Sequence, residues 1–220
     1  MIQRSAIPFD AIALAHRIHQ ATSAWHREPA ELEHREPAEL GNDEPALQDS
    51  LLNDPHRIAM EMHRANFDLW HHEDLARDPA ASHAEIVQTK RAIDKLNQQR
   101  NNSVEELDLF LFQTVQNAAA PLHSETPGMM LDRVSILSLK RFHTGEEAVR
   151  TSASTEHRSR NRQRLTLLEE QAADLTAALA EVWQQVLVGT RRFKLYRQFK
   201  MYNDPSLNPI LYKAGLPPKA

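Results

Sequence analysis

Residues 165–186 have the sequence LTLLEEQAADLTAALAEVWQQV, and this stretch decides the fold. Its apolar residues alternate spacings of three and four, which is the a/d pattern of a helix that buries one stripe. The members of this seam are Leu165, Leu168, Ala172, Leu175, Leu179, Val182 and Val186. Trp183, Leu187 and Val188 broaden the stripe, so we expect the helix to pack inside a bundle more than as an isolated coiled coil. Gly189 follows at a position where helices commonly end.

Helical patterns also cover most of the remaining chain. The predicted helices run from about 8 to 25, from 55 to 77, from 83 to 115, from 127 to between 143 and 151, and from the loop at 151–154 to 188. The chain has only five glycines, and the span 128–204 has no proline. A sheet protein of this size would need many turns, which are rich in these residues. The sequence therefore predicts an all-α bundle of five to six helices with one long heptad-patterned helix.

A tandem duplication separates the first helix from the rest. The sequence HREPAEL at 26–32 recurs at 34–40. Proline recurs too often there for a helix, and the segment is polar and acidic, which is typical of a flexible linker. Replication slippage in a tolerant loop explains a repeat that is too short for a solenoid. We expect an N-terminal helix at 1–25, a linker at 26–53, a helical bundle domain at 54–212 and a tail at 213–220.

Composition limits the class of partner. The net charge of −4 supplies no overall field for nucleic acid or anionic membranes. The chain contains no cysteine, which excludes disulfides and thiolate metal sites and favours a reduced compartment. Residues 1–10 lack the apolar region and the small-residue cleavage site of a signal peptide, and no apolar run is long enough to cross a bilayer. We expect a cytoplasmic protein that binds neither nucleic acid nor membrane.

The second predicted helix carries an unusual polar stripe in the sequence NFDLWHHED. Residues three and four apart share a helix face, so Asn66, Trp70, Glu73 and Arg77 lie on one stripe, with Asp74 beside it. A tryptophan among amides and acids suits a ligand-facing surface, because the ring packs against the ligand while the polar groups orient it. The alternative is a surface Glu73–Arg77 ion pair with Trp70 in the core.

The third predicted helix carries a second polar row. Asp94, Gln98, Asn101 and Glu105 are spaced by three and four residues, and Asn97 lies next to them. We include Asp94 and Asn97 among the candidate ligand-binding residues, because amides inside a bundle usually hydrogen-bond to another polar group. The favoured alternative for this row is a solvated helix face.

The sequence SETPG before the fourth helix predicts an anion site. Thr126 is placed to cap the helix, and its free N–H groups carry partial positive charge. Gly128 allows a close approach, and Glu125, Asp132 and Arg133 are nearby candidates for ligand contact. The alternative is an ordinary capped helix, and there is no P-loop motif.

A basic and aromatic segment follows the fifth helix. Its cations and aromatic residues are Arg191, Arg192, Lys194, Arg197 and Lys200, and Phe193, Tyr196, Phe199 and Tyr202. On a helix, the aromatic residues would form one stripe flanked by cations. Lys194 and Arg197 are our candidates for contact with an anionic ligand, because such side chains bind phosphate. Alternatively, the cations balance the charge of acids on neighbouring helices, and the aromatic rings pack in the core.

The twelve histidines form no recognised metal motif. Neither the HExxH pattern nor the Glu-x-x-His pairs of di-iron bundles occur. His71 and His72 point about 100° apart on a helix, so they do not chelate together. We expect no histidine-based metal site, whereas a Mg²⁺ site made of Glu73, Asp74 and Asp94 stays open. No signature of a Ser-His-Asp nucleophile is present, and the sequence leaves any cofactor unknown.

Four strings of residues resemble an uncharacterised bacterial family of all-helical proteins, a domain of unknown function. They are NFxLWHxEDxAR from Asn66, AIDxLNQxRN from Ala92, SETPGxxxDRxSIL from Ser124 and FKxYRQFKMYNDP from Phe193. The resemblance covers about Leu51 to Tyr212, and the duplicated linker departs from it. Members of that family are often encoded near glycosyltransferase and lipopolysaccharide genes, which implies a role with envelope sugars. The resemblance carries over no catalytic residues.

Two functions follow as hypotheses. The first is a cytoplasmic helical protein that binds a phosphorylated sugar or nucleotide-sugar, an anionic small molecule, in surface-polysaccharide assembly. The second is a non-enzymatic interaction protein that forms a homodimer through the 165–186 seam, with the polar strings as a structural network. A polar cleft joining Trp70, Asp94, Glu125 and Lys194 would favour the first, and an exposed apolar seam would favour the second.

Overall fold

The structure is a computed structural model that describes residues 9–27, 54–113, 119–197 and 206–210. Five helices occur in these ranges: α1 (Ala11–Trp25), α2 (Pro55–Leu75), α3 (His83–Phe112), α4 (Pro127–Val149) and α5 (Thr155–Leu187). The prediction of an all-α bundle is confirmed. Most of the predicted linker, at 28–53, and the predicted tail at 213–220 lie outside the described residues.

Side-chain caps set the starts of α2, α3 and α4. Asp54 accepts the N–H of His56 ahead of Pro55. Ser82 and Glu85 form a capping box at the start of α3. Thr126 caps α4 by accepting the N–H of Met129, with proline at the first helical position. Local sequence therefore sets where these helices start.

α1 starts slightly later than predicted, because Asp10 is its cap. The Asp10 carboxylate accepts the N–H groups of Ile12 and Ala13, each at 3.0 Å. Ile12 is 52% exposed, whereas Ala11 and Leu14 are buried on the inner face of α1.

The seam of α5 packs inside the bundle. α4 pairs with α5, α2 pairs with α3, and α1 contacts α4, α5 and α2. Buried seam residues are Ala172, Leu175, Leu179, Val182 and Val186. Trp183 is buried beside them and meets Phe9 edge to face at 5.2 Å. Most of the seam is therefore covered by the chain itself and is not a surface for a second copy.

The basic and aromatic segment departs from a helical arrangement over the part that is described. Gly189, with φ 75°, ends α5, where the N–H of Thr190 donates to the Gln185 carbonyl at 2.9 Å. Residues 191–197 are then extended, and the N–H of His123 donates to the Arg192 carbonyl at 2.7 Å. The helical aromatic stripe does not form over residues 191–197, where Phe193 is buried and Tyr196 is exposed. Residues 198–205 lie outside the described residues.

Over the ranges that the structure describes, every helix is too short or too polar to cross a membrane.

Candidate functional site

A groove between α2, α3 and α4 brings together five of the predicted site residues. We call it the Trp70 groove, and its volume is about 360 Å³. Its lining comprises Asn66, Leu69, Trp70, Glu73, Asp74, Arg77, Asn97, Arg100, Ile136 and Leu139. Asn66, Trp70, Glu73, Asp74 and Asn97 were all predicted from helical spacing. The polar stripe of α2 therefore shares this groove with Asn97 of α3, whereas the other members of the α3 row do not line it.

One side of the Trp70 groove contains a partly satisfied charge pair. Asn66 donates from Nδ2 to Asp132 Oδ1 at 2.7 Å, so Asp132 joins the groove through Asn66. Arg100 Nε lies 3.7 Å from the same carboxylate oxygen, too far for a normal hydrogen bond. This buried Nε has no hydrogen-bond partner among the described residues. Arg100 therefore keeps hydrogen-bonding capacity beside the groove.

The outer edge of the groove is an ordinary surface pair. Arg77 contacts the Glu73 carboxylate at 2.7 Å, and both side chains are exposed. Such a pair contributes little to stability, in the range of about 0–1 kcal/mol. Trp70 itself is half-buried and stacks on the His143 ring, with centroids 4.8 Å apart and planes 8° apart. Both alternatives weighed for this stripe are thus partly realised.

A buried chain of hydrogen bonds runs from Asn66 into the bundle. Asn66 Nδ2 donates to Ser135 Oγ at 3.0 Å, and Ser135 Oγ lies 2.8 Å from His63 Nδ1. His63 Nε2 lies 3.1 Å from Thr22 Oγ1, and Thr22 donates to the Ile18 carbonyl at 2.9 Å. Thr22 Oγ1 also lies 2.8 Å from Ser138 Oγ, so the chain reaches a second serine of α4. A neutral imidazole, with one N–H donor and one acceptor nitrogen, matches a hydroxyl group on each side of His63.

His63 is fully buried in this chain. Burial lowers the pKa of its imidazole to about 3, which keeps the ring neutral at pH 7. Neither His63 nor Ser135 was among the predicted site residues. The available signal was the position of His63 one helical turn before Asn66, together with Thr22 on the apolar stripe of α1.

The predicted anion site at the start of α4 is already filled by an acid of this chain. Asp108 of α3 accepts the Thr126 hydroxyl at 2.5 Å and the N–H of Gly128 at 2.7 Å. Asp108 and Thr126 are 5% and 1% exposed. A Cβ at Gly128 would lie 2.7 Å from Asp108 Oδ1 and 2.9 Å from the Val104 carbonyl, so the glycine is required. The cap at Thr126 was predicted correctly, but the acid that it binds is Asp108 of the same chain and not a ligand.

Asp108 is a residue that the sequence analysis missed. The available signal was an acid in the apolar stripe of α3, between Val104 and Leu111. Burial raises the pKa of its carboxyl to about 6, although the hydrogen bonds from Thr126 and Gly128 oppose the rise.

Two other predicted residues lie at a second groove, between α4 and α5. It has a volume of about 710 Å³, and its polar lining is His123, Glu125, Arg133, Lys140, Gln171 and Asp174. Arg133 Nη1 donates to both Glu125 carboxylate oxygens at 2.7 and 2.9 Å, so these two residues satisfy each other. The polar strings therefore divide between two grooves, one on each side of Ile136.

The remaining candidates lie outside both grooves. Asp94 pairs with Lys90 one turn earlier on the exposed face of α3, as the solvated-face alternative predicts. Lys194 and Arg197 are exposed on the extended segment and line neither groove. A single cleft joining Trp70, Asp94, Glu125 and Lys194 is thus not formed.

Three histidines from different helices come together behind Trp70. One ring nitrogen of each of His26, His71 and His143 lies within 4.8 Å of the other two. Sequence reasoning missed this group because the three residues are far apart in the chain.

Comparison with known proteins places most of the chain in one family. A family model described as "Protein of unknown function (DUF4254)" matches residues 56–195. The match runs from α2 to the extended segment and contains the whole lining of the Trp70 groove. Neither a curated protein nor a solved structure matched the chain. The resemblance to a domain of unknown function is confirmed, and α1 lies outside the matched residues.

Proposed function

This chain belongs to the DUF4254 family of proteins of unknown function, and we propose that its Trp70 groove binds a phosphorylated sugar or nucleotide-sugar. The observation that carries the proposal is the convergence of Asn66, Trp70, Glu73, Asp74 and Asn97 on one groove. A few polar groups around an apolar wall are the usual composition of a small-molecule site.

The sugar part of the ligand fits the wall made by Trp70. This ring is half-buried, held on one face by His143, and still lines the groove. Aromatic rings present a large apolar surface to a ligand ring. The Glu73 and Asp74 carboxylates accept hydrogen bonds from hydroxyl groups, and the Asn97 amide both donates and accepts. This combination suits a polyhydroxylated ring.

The phosphate part fits Arg100. Its side chain is 28% exposed, and its buried Nε lies 3.7 Å from Asp132 without a hydrogen-bond partner among the described residues. A guanidinium that is not engaged in a close ion pair offers its donors in the planar arrangement that phosphate oxygens match. Arg77, with a 68% exposed side chain, is a second cation at the rim.

The wider role is proposed from the family resemblance alone. Gene neighbours of similar proteins point to surface-polysaccharide assembly in the cytoplasm of a bacterium. The residues of the groove do not identify a reaction. In this role the protein is either an enzyme or an accessory subunit. The dimerisation alternative is not favoured, because the seam that would serve it is largely buried inside the bundle.

The test is calorimetric titration of the full chain with a nucleotide-sugar, a sugar 1-phosphate, the free sugar and inorganic phosphate. We expect the first two to bind and the last two to bind weakly, because each carries only one part of the ligand. Asn97→Ala should weaken binding, since loss of a hydrogen bond to a ligand costs about 0.5–1.5 kcal/mol. Arg100→Ala should weaken it more, by about 1.5–3 kcal/mol for a charged donor.

Asp94→Ala is the matched control. Asp94 lies one turn before Asn97 on the same helix, but it pairs with Lys90 outside the groove. The Asp94→Ala variant should bind the phosphorylated sugar with the affinity of the wild type. Equal losses in the Asp94 and Asn97 variants, or no binding by any phosphorylated sugar, would refute the proposal.

A further inference from the structure

The histidine cluster behind Trp70 has a geometry that a hydrophobic core does not require. His26 directly follows α1, His71 lies near the end of α2, and His143 lies in α4. His26 Nε2 is 3.2 Å from His143 Nε2, and one ring nitrogen of His71 lies within 4.8 Å of both.

The hydrogen bonds of the cluster fix which nitrogens are available. The Nδ1–H of His26 donates to the Thr22 carbonyl at 2.7 Å, and that of His71 donates to the Phe67 carbonyl at 2.8 Å. The Nδ1–H of His143 donates to the Glu146 carboxylate at 3.2 Å. In each neutral ring the lone pair therefore lies on Nε2.

Two lone pairs that face each other at 3.2 Å repel unless a cation lies between them. A tetrahedral ion with Zn–N bonds of about 2.0–2.1 Å separates its ligand atoms by about 3.3 Å. The distance between His26 and His143 thus equals a ligand–ligand distance. An outer partner on the opposite ring nitrogen, here two carbonyls and one carboxylate, is the usual second shell of a metal-bound histidine.

We propose that His26, His71 and His143 bind a divalent transition-metal ion of the Zn²⁺ class through their Nε2 atoms. Three imidazoles leave a fourth coordination position for water or a ligand. This site goes beyond the proposed sugar-binding function and does not depend on it. It also replaces the expectation of no histidine-based metal site, since that expectation considered only neighbours in sequence.

The surroundings favour neutral, oriented ligands. The Phe142 ring stacks on His26 at 3.9 Å, and the Phe67 ring meets it edge to face at 4.6 Å. All three side chains are half-buried, so an ion can reach them.

The test uses the untagged full chain, stripped with a chelator and titrated with Zn²⁺ by calorimetry and with Co²⁺ by visible absorption. We expect one equivalent of Zn²⁺ to bind, and Co²⁺ to give the intense visible bands of a tetrahedral site. His71→Ala should weaken Zn²⁺ binding by more than about 100-fold, the upper end of what loss of a mere outer-shell partner causes.

His72→Ala is the matched control. His72 is adjacent on α2, is also half-buried, and donates its Nδ1–H to the Asp68 carbonyl at 2.8 Å, yet it is not in the cluster. Its Zn²⁺ affinity should stay within about 2-fold of the wild type. Circular dichroism checks the fold of each variant, and His71→Gln replaces His71→Ala if the latter does not fold.

Three outcomes would overturn the proposal. The first is a wild-type chain that binds no Zn²⁺, which would leave a proton shared between His26 and His143 as the explanation of their contact. The second is an equal loss of affinity in the His71 and His72 variants. The third is a folded His71 variant with wild-type affinity, which would place the ion elsewhere.

Discussion

Two buried ionisable residues contact α4 from neighbouring helices, and they differ in where their hydrogen bonds end. Asp108 binds the start of α4 through Thr126 and the backbone of Gly128. His63 binds its middle through Ser135 and continues to Thr22 in α1. The first arrangement is closed, with both carboxylate oxygens bonded locally, whereas the second extends along a chain of side chains.

The open end of the second arrangement is Asn66, which lines the Trp70 groove. A buried polar residue by itself therefore does not mark a binding site in this protein. Asp108 takes the place of an external anion at the N-terminus of α4, where it bonds to Thr126 and Gly128. His63 supports a residue that faces the groove, because Ser135 contacts both side chains. The same burial raises the pKa of the acid and lowers the pKa of the base, so the two regions should respond to pH in opposite directions.

The largest expected effect is acid destabilisation through His63. Its pKa is about 3 in the folded chain against 6.5 for a histidine in the unfolded chain, so the unfolded chain binds more protons between these values, and stability is lost as pH falls through this window. The full difference is about 5 kcal/mol, at 1.36 kcal/mol per unit. About 3 kcal/mol of it falls between pH 7 and pH 4, and urea unfolding of the wild type and of His63→Gln over this range measures that part as the difference between the two curves. If the free energies of unfolding of the two proteins changed in parallel with pH, His63 would not be held neutral in the folded chain.

The opposite slope is expected from Asp108. Its pKa is about 6 in the folded chain against 3.8 unfolded, so the folded chain binds more protons in between, and stability falls as pH rises through this window. The wild type should lose about 2.4 kcal/mol relative to Asp108→Asn between pH 4 and pH 7. Denaturant midpoints of both proteins over this range provide the measurement. A wild type that gains on the variant as pH rises would mean that the ionised carboxylate is favoured in the cap.

The closed character of the Asp108 region can be tested at Gly128. A methyl group there would meet both the carboxylate and the Val104 carbonyl, so Gly128→Ala should destabilise by about 1–3 kcal/mol. Gly145→Ala is the matched control in the same helix, since its Cβ would meet only Leu165 Cδ2, at 4.0 Å. That change should stabilise by about 0.5–1 kcal/mol. Thermal unfolding of both variants is the measurement, and equal shifts would contradict the tight fit at Gly128.

The smallest effect is expected at the exposed cations of the extended segment. Lys194→Ala and Arg197→Ala should each change the free energy of unfolding by less than about 0.5 kcal/mol. They should also leave sugar-phosphate affinity unchanged, because neither residue lines the Trp70 groove. Calorimetric titration beside Arg100→Ala provides the comparison. A loss of affinity similar to that of Arg100→Ala would show that Lys194 or Arg197 contacts the ligand.

Sequence periodicity predicted the candidate site in part. Asn66, Trp70 and Glu73 do share a face of α2, and Asn97 does meet them from α3. The same reasoning placed Lys194 with them, but Lys194 belongs to an extended segment where helical spacing does not apply. It also missed Asp108 and His143, because each functions through residues on another helix. Helical spacing tells which residues share a face of one helix, but it does not tell which faces of two helices pack against each other.

By itself, the sequence determined the helices and most of their ends. Caps such as Ser82 with Glu85, and the spacing of Leu175, Leu179 and Val182, act over one or two turns, so local patterns contain the information. Only the tertiary structure decided which polar groups meet. Packing of α1, α2 and α4 brought His26, His71 and His143 within reach of one another, and packing of α3 on α4 placed Asp108 in the cap of Thr126. These contacts join residues far apart in the chain, and the burial that shifts their pKa values exists only once the helices have packed.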